Sequence, residues 1–252
     1  MKRIAYLLIA TLVVTFALMG CSKDESTTTA PPPSNNEEEQ APAFSAQPLE
    51  VPDSLANKTD PQAQATVYYI NMANAFVNYT SFVTPPSKTS FEGVGTLSGP
   101  PWIYTWPVNI GPDNNYMVTL TIDEDNDYYT WTVELDGVFD GYSVTNFTLI
   151  EASQAKDGTS GELTVYDPES LGIALSVSWV LQNGTYTVTY LMPEEVRIVV
   201  TLNPDESGSV EAYEWNGSAF VKVFEAQWTA TGAGEWWTWN IDGTPSGHGT
   251  WS

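Results

Sequence analysis

The stretch IALSVSWVLQNGTYTVTY, residues 173–190, decides the fold class of this chain. Apolar side chains recur at every second position on both sides of a central Asn183-Gly184. An Asn-Gly pair between two alternating runs is the strongest short-range signal for a β-hairpin, because both residues tolerate the positive φ that a tight turn needs. The stretch therefore predicts two antiparallel strands joined by a two-residue turn.

The same pattern continues on both sides of this hairpin. Asn216-Gly217 joins two more alternating runs, and Asp242-Gly243 offers a third turn. From Phe91 onward the apolar period is two, and no strand-helix-strand spacing appears that would favour a parallel sheet. We therefore predict a mainly β protein, in which about ten antiparallel strands form a meander that closes into a barrel, curls into a half-barrel or splits into a sandwich.

A short motif also recurs along the β region. In residues 160–167, 207–214 and 233–240, a glycine near the start is followed by an apolar residue two positions later and an aromatic residue five positions later. Residues 248–251 resemble a truncated fourth copy. The motif is distantly similar to the glycine-aromatic hairpins of MORN-type repeats, and it predicts that one way of opening a strand is used several times.

One helix precedes the strands. Asp60-Pro61 combines an N-cap acid with proline at the first helical position, and Pro85-Pro86 ends the segment. We predict a helix over residues 60–83. Its apolar arc is wide, which favours a helix well covered by protein. It could lie in the concave face of a curved sheet or pack on a sheet edge.

The N-terminus reads as an export signal. Lys2 and Arg3 precede an apolar run of about fifteen residues, which is the length of a signal-peptide core and is short for a membrane span. The run ends in Leu18-Met19-Gly20-Cys21, which resembles the lipobox of bacterial lipoproteins. That resemblance implies cleavage between Gly20 and Cys21 and acylation of Cys21 with fatty acids such as palmitate. The alternatives are an ordinary secretory signal and an uncleaved N-terminal helix.

The residues behind this cysteine predict a tether. Residues 21–59 are rich in Pro, Thr and Glu and lack a continuous apolar face, so we predict a disordered acidic linker. Lys23-Asp24-Glu25 resembles the acidic export signals of surface lipoproteins in the Bacteroidetes, and Ser22 fits outer-membrane sorting by the same resemblance. We expect a lipid-anchored protein of the cell envelope in the outer membrane, with its periplasmic or surface location open. Residues 60–252 would form one domain.

Charge and cysteine content limit the partners. The chain has a net charge of −23, and removal of Lys2 and Arg3 with the signal changes this to −25 (six Lys and Arg against 31 Asp and Glu). Nucleic acids and anionic lipids favour basic surfaces, so neither is an expected partner. Cys21 is the only cysteine, so acylation would leave no thiol for a disulfide, a nucleophile or a metal. We expect no cofactor, and the oligomeric state stays open.

Aromatic residues are the main candidates for ligand binding. The chain has ten tryptophans; Trp102, Tyr104 and Trp106 alternate and so share one strand face, whereas the adjacent Trp236 and Trp237 point to opposite faces. Such rings could stack on sugars, line a cavity for an apolar ligand, or fill the core of the sheet.

Charged candidates are weaker. Asp123, Asp125 and Asp127 have the one-three-five spacing of a calcium loop, but Tyr128 stands where that loop requires glycine, so a solvated hairpin tip is the alternative. His248, the only histidine, lies close to the C-terminus, where we expect no fixed partner for catalysis. Arg197 would face solvent, pair with an acid or bind an anion.

A helix followed by a long meander behind a lipidated cysteine also resembles, in element order, the LolA/LolB lipoprotein carriers. That resemblance implies a half-barrel that holds acyl chains. The expected function is a non-catalytic binding or structural module for an amphiphile, a glycan or an envelope protein. The alternative is a glycoside hydrolase or another surface hydrolase that uses two carboxylates.

Overall fold

The computed structural model describes residues 41–84, 94–96 and 99–252. Thirteen strands form one antiparallel sheet in which every strand pairs with its neighbours in sequence. They are β1 (Val94–Thr96), β2 (Trp102–Gly111), β3 (Asn114–Glu124), β4 (Tyr128–Phe139), β5 (Tyr142–Ala155), β6 (Ser160–Tyr166), β7 (Ile173–Gln182), β8 (Thr185–Met192), β9 (Val196–Leu202), β10 (Gly208–Trp215), β11 (Phe220–Trp228), β12 (Gly234–Trp239) and β13 (Pro245–Trp251).

The predicted antiparallel meander is confirmed, with three strands more than expected. Within the described residues, β1 and β13 are the two ends of the sheet and do not pair with each other. The closed-barrel alternative is therefore wrong, whereas a half-barrel or a sandwich agrees with an open sheet. The hairpin at Asn183-Gly184 forms as predicted, with positive φ at both turn residues.

The two faces of the sheet differ in composition, since side chains alternate along every strand. We call the buried one the inner face. One row across it contains Trp131, Ala152, Leu163, Val177, Tyr190, Ile198, Ala212 and Phe224, all buried. The opposite side, the outer face, is partly or fully exposed. A matching row there contains Thr130, Ser153, Glu162, Ser178, Thr189, Val199, Glu211, Glu225, Trp237 and His248.

Two helices pack on the sheet instead of the single one predicted. Helix α1 (Asp53–Ala56) precedes α2 (Pro61–Ala73), and a 3₁₀ turn (Asn74–Tyr79) follows. The predicted N-cap is present, because the Asp60 carboxylate accepts hydrogen bonds from the backbone N–H groups of Gln62 and Ala63. Helix α2 contacts β8, β9 and β10. The buried residues of α2 belong to the core on the inner face. None of the helices in the described part of the chain is long and apolar enough to cross a membrane.

The predicted linker ends earlier than residue 59. Residues 41–52, which we call the strap, form neither helix nor strand, and Ala41 and Leu49 are buried. Phe44 of the strap makes edge-to-face contacts with Trp131 and Trp179, with ring centroids 5.1 and 5.4 Å apart. The prediction of disorder over 41–59 is therefore wrong. A few apolar side chains spaced among polar ones are enough to attach such a segment to an existing core.

Three side chains hold the strap by hydrogen bonds to its backbone. Asn74 accepts from the Leu49 N–H and donates to the Leu49 carbonyl, at 2.7 and 2.8 Å. Gln154 accepts from the Ser45 N–H at 2.9 Å. The Tyr186 hydroxyl donates to the Gln47 carbonyl at 3.0 Å. These bonds satisfy backbone groups that a segment outside the sheet would otherwise leave unpaired.

The recurring glycine motif has a packing cause. Three glycines of the motif lie on the inner face, each beneath the ring of the tryptophan that pairs with it on the next strand: Gly161 with Trp179, Gly208 with Trp228 and Gly234 with Trp251. A Cβ at any of the three glycines would overlap its tryptophan ring. Glycine is therefore required where a large ring lies flat across the sheet.

Candidate functional site

Most of the predicted aromatic row belongs to the core. Trp102 and Tyr104 are buried on the inner face, and Trp106 packs partly buried beside them. The shared strand face is therefore confirmed, and the rings fill the interior rather than form an open binding row.

The adjacent tryptophans do point to opposite faces. Trp236 pairs with Ala226 on the inner face, and its ring lies against Gly247 and Gly249. Trp237 pairs with Glu225 on the outer face, where its ring stacks on His248 with centroids 5.2 Å apart and an interplanar angle of 17°. Of the five aromatic candidates, Trp237 alone lies on the outer face.

Trp237 belongs to a larger group on the outer face of β9–β13, which we call the outer aromatic cluster. Its members are Arg197, Tyr213, Trp215, Phe220, Lys222, Trp237, Trp239 and His248, and none of them is fully buried. Cations and rings alternate across the strands. The Arg197 guanidinium lies 4.0 Å from the Tyr213 ring centroid, and Lys222 Nζ lies 5.6 Å from Tyr213 and 5.8 Å from Trp239.

The rest of the cluster is connected in the same way. Arg197 also lies 5.7 Å from the Phe220 ring, and Phe220 packs edge-to-face on Trp215. The buried Nε of Arg197 has no hydrogen-bond partner in the described structure. The guanidinium therefore lies over the Tyr213 and Phe220 rings in cation–π contacts. The predicted alternatives of an exposed or acid-paired Arg197 omitted this stacking.

Two carboxylates flank the central lysine of the cluster. Lys222 Nζ lies 2.5 Å from Glu211 Oε1 and 2.8 Å from Glu225 Oε2. Burial alone would raise the pKa of Glu211, but hydrogen bonds from Lys222 and Tyr213 outweigh it and lower that pKa. Burial opposes the charged form of Lys222, but its bonds to Glu211 and Glu225 prevail and raise its pKa. Glu211 and Lys222 are therefore both charged at neutral pH.

His248 is better ordered than we predicted. It lies in β13, and its Nε2 is 2.6 Å from Glu235 Oε1 on β12. The two side chains are 54% and 47% exposed. The expectation that His248 has no fixed partner is wrong, because strand pairing extends to Trp251 and places Glu235 and Trp237 beside the ring. The exposed setting still differs from the enclosed one that holds a catalytic histidine.

The acidic triplet forms a turn. The Asp125 carboxylate accepts hydrogen bonds from the backbone N–H groups of Asp127 and Tyr128, which closes the hairpin between β3 and β4, and Asp123 accepts from the Glu124 N–H. Across residues 41–84, 94–96 and 99–252, no group of three or more His, Cys, Asp or Glu side chains is arranged to hold a metal ion. The structure thus does not support the calcium-loop interpretation.

Gly20 and Cys21 lie outside the described residues, so cleavage and lipidation stay predictions. No protein-family model matches the chain, and no curated protein matches its sequence.

Proposed function

We propose that this chain is a lipid-anchored lipoprotein of the cell envelope whose β domain is a non-catalytic binding module. The anchor is Cys21, and the binding surface is the outer aromatic cluster. The observation that carries the proposal is a set of two ring–ring contacts and two cation–π contacts on a sheet face whose side chains stay partly or fully exposed. Rings that are not needed to fill a core are available to a ligand.

The inner face is less suited to bind an amphiphile. Leu55, Ile70 and Phe76 from the helices are fully buried against the sheet, and Phe44 of the strap packs between Trp131 and Trp179. These side chains occupy the position where a half-barrel carrier would hold acyl chains. An amphiphile on this face would first have to displace the strap and its hydrogen bonds.

The outer face does not favour hydrolysis by two carboxylates. Glu211 and Glu225 both bind Lys222, and the lowered pKa of Glu211 keeps that group ionised. A retaining or inverting glycosidase needs one carboxyl that is protonated at working pH, which requires a raised pKa. A binding role uses the same residues without that requirement.

Two experiments test the proposal. Metabolic labelling with a palmitate analogue should label the wild type and should not label Cys21→Ala, and Cys21→Ala should also move to soluble fractions. Continued membrane retention and labelling of Cys21→Ala would refute the anchor.

For binding, the purified full chain in detergent is sedimented with isolated envelope fragments from its own cells. Trp239→Ala should lower the bound fraction, and Tyr128→Ala, an exposed aromatic outside the cluster, should not. Equal retention of both variants would refute the binding surface.

A further inference from the structure

The outer aromatic cluster has the composition of a sugar-binding surface. From this, and resting on the proposed binding function, we infer that its ligand is an extended, uncharged glycan chain. Trp237 and Trp239 are two residues apart on β12 and face the same side, so their Cα atoms are about 6.7 Å apart along the strand. Tyr213 lies two strands away, across Lys222. The rings thus form a two-dimensional platform.

The rings supply one half of sugar recognition. The C–H groups on the flat side of a pyranose carry partial positive charge, and they are attracted to the negative face of an aromatic ring. Arg197 and Lys222 already lie against the rings of Tyr213 and Trp239 and restrict their movement. A ring that is held in place before binding loses less conformational entropy when the ligand arrives.

The charged groups supply the other half. Glu211, Glu225 and Glu235 lie between the rings and offer carboxylate oxygens to sugar hydroxyls, and Lys222 offers N–H donors. Glu211 and Glu225 share Lys222, and Glu235 contacts His248, so each carboxylate is already held in position by a partner within the protein. A protein partner would favour an interface core from which charged residues are depleted, and this cluster has charges at its centre.

Shape and net charge select the class of glycan. The cluster lies on an open sheet face, whereas a small ligand is normally enclosed in a concave pocket. An open platform suits a chain that extends over several rings. The charge of −23 over the whole protein opposes polyanions such as sulfated or phosphorylated polysaccharides, so the chain should be neutral.

Calorimetric titration of the full chain in detergent with cellohexaose and with chitohexaose tests this inference, and dextran sulfate provides the polyanion. At least one hexaose should bind. Trp239→Ala should weaken that binding on the order of tenfold, as expected when a central aromatic contact is removed. Tyr128→Ala should bind as the wild type does, and dextran sulfate should not bind. Trp237→Ala provides a second test if Trp239→Ala unfolds, which circular dichroism would reveal.

Failure of both hexaoses to bind, or equal binding by Trp239→Ala and Tyr128→Ala, overturns the glycan inference. Preferential binding of dextran sulfate also overturns it. This failure is distinguishable from failure of the proposed function: if envelope fragments still depend on Trp239 while both hexaoses fail, the surface binds something other than a neutral glycan. If neither ligand depends on Trp239, the binding surface itself is refuted.

Discussion

Substitution of Gly161 by alanine should destabilise the protein strongly. The new Cβ would overlap Cζ2 of Trp179 most severely, and it would lie 2.6 Å from both the Ser153 carbonyl oxygen and Cη2 of Trp179, whereas ordinary contact begins at 3.4 Å. Neither neighbour moves easily, because Ser153 belongs to β5, which pairs with β6, and Phe44 packs on the Trp179 ring. We expect a loss of about 3 kcal/mol in the free energy of unfolding, the upper end of the range for overpacked cores.

The measurement is urea unfolding followed by circular dichroism, with Gly172→Ala as the matched control. Gly172 lies just before β7, and a Cβ there would meet only Ser170 Oγ, at 3.4 Å. The control should therefore change stability by no more than about 0.5 kcal/mol. In a Trp179→Phe background, Gly161→Ala should cost less, because the smaller ring leaves room. Similar losses for both glycines would show that the ring above Gly161 is not what requires glycine there.

Three further predictions concern the strap and the turns. Asn74→Ala should cost about 2 kcal/mol, because it leaves the N–H and carbonyl of Leu49 without partners, whereas Asn78→Ala should be nearly neutral in the same urea assay. Burial raises the pKa of Tyr186 from 10.0 to about 12, so the unfolded chain ionises first and the free energy of unfolding should fall as pH rises from 10 to 12. The urea midpoint of Tyr186→Phe should fall less over that range. If the midpoints of the variant and the wild type fall equally with pH, this prediction is refuted. Calcium should leave the melting temperature unchanged, since the β3–β4 turn already uses its central carboxylate; a rise would restore the calcium-loop interpretation.

The strand pattern predicted the fold well because it is a local property. Alternation of apolar side chains and Asn-Gly turns determine which segments are strands and that neighbours pair in order. The end strands were harder to predict. Strand β13 contains Pro245, Gly247 and Gly249 and lacks apolar alternation, yet it pairs with β12 because the Trp236 ring covers its glycines. That contact joins different strands and leaves no periodic signal.

The strap shows a second limit of the sequence. Its composition favours a solvated chain without helix or strand, and the strap forms neither, but Gln154, Tyr186 and Asn74 bind its backbone. These partners lie between 25 and 139 positions away along the chain. Composition describes what a segment can do alone, whereas order in this segment depends on distant polar side chains. A linker prediction made from composition therefore extends too far wherever such partners exist.

The outer aromatic cluster could have been found from the recurring motif by strand parity. Residues an even number of positions apart share a face, so the apolar residue two positions after each glycine lies on the inner face with it, and the aromatic residue five positions after lies on the outer face. Those aromatics are Tyr166, Tyr213 and Trp239. Tyr166 bonds Glu151 on the outer face, and the other two belong to the cluster. A motif that only packed the core would not need an aromatic residue at the fifth position. The aromatic residue nevertheless recurs there, on the outer face, in all three copies. This recurrence argues that the outer face contacts something outside the chain.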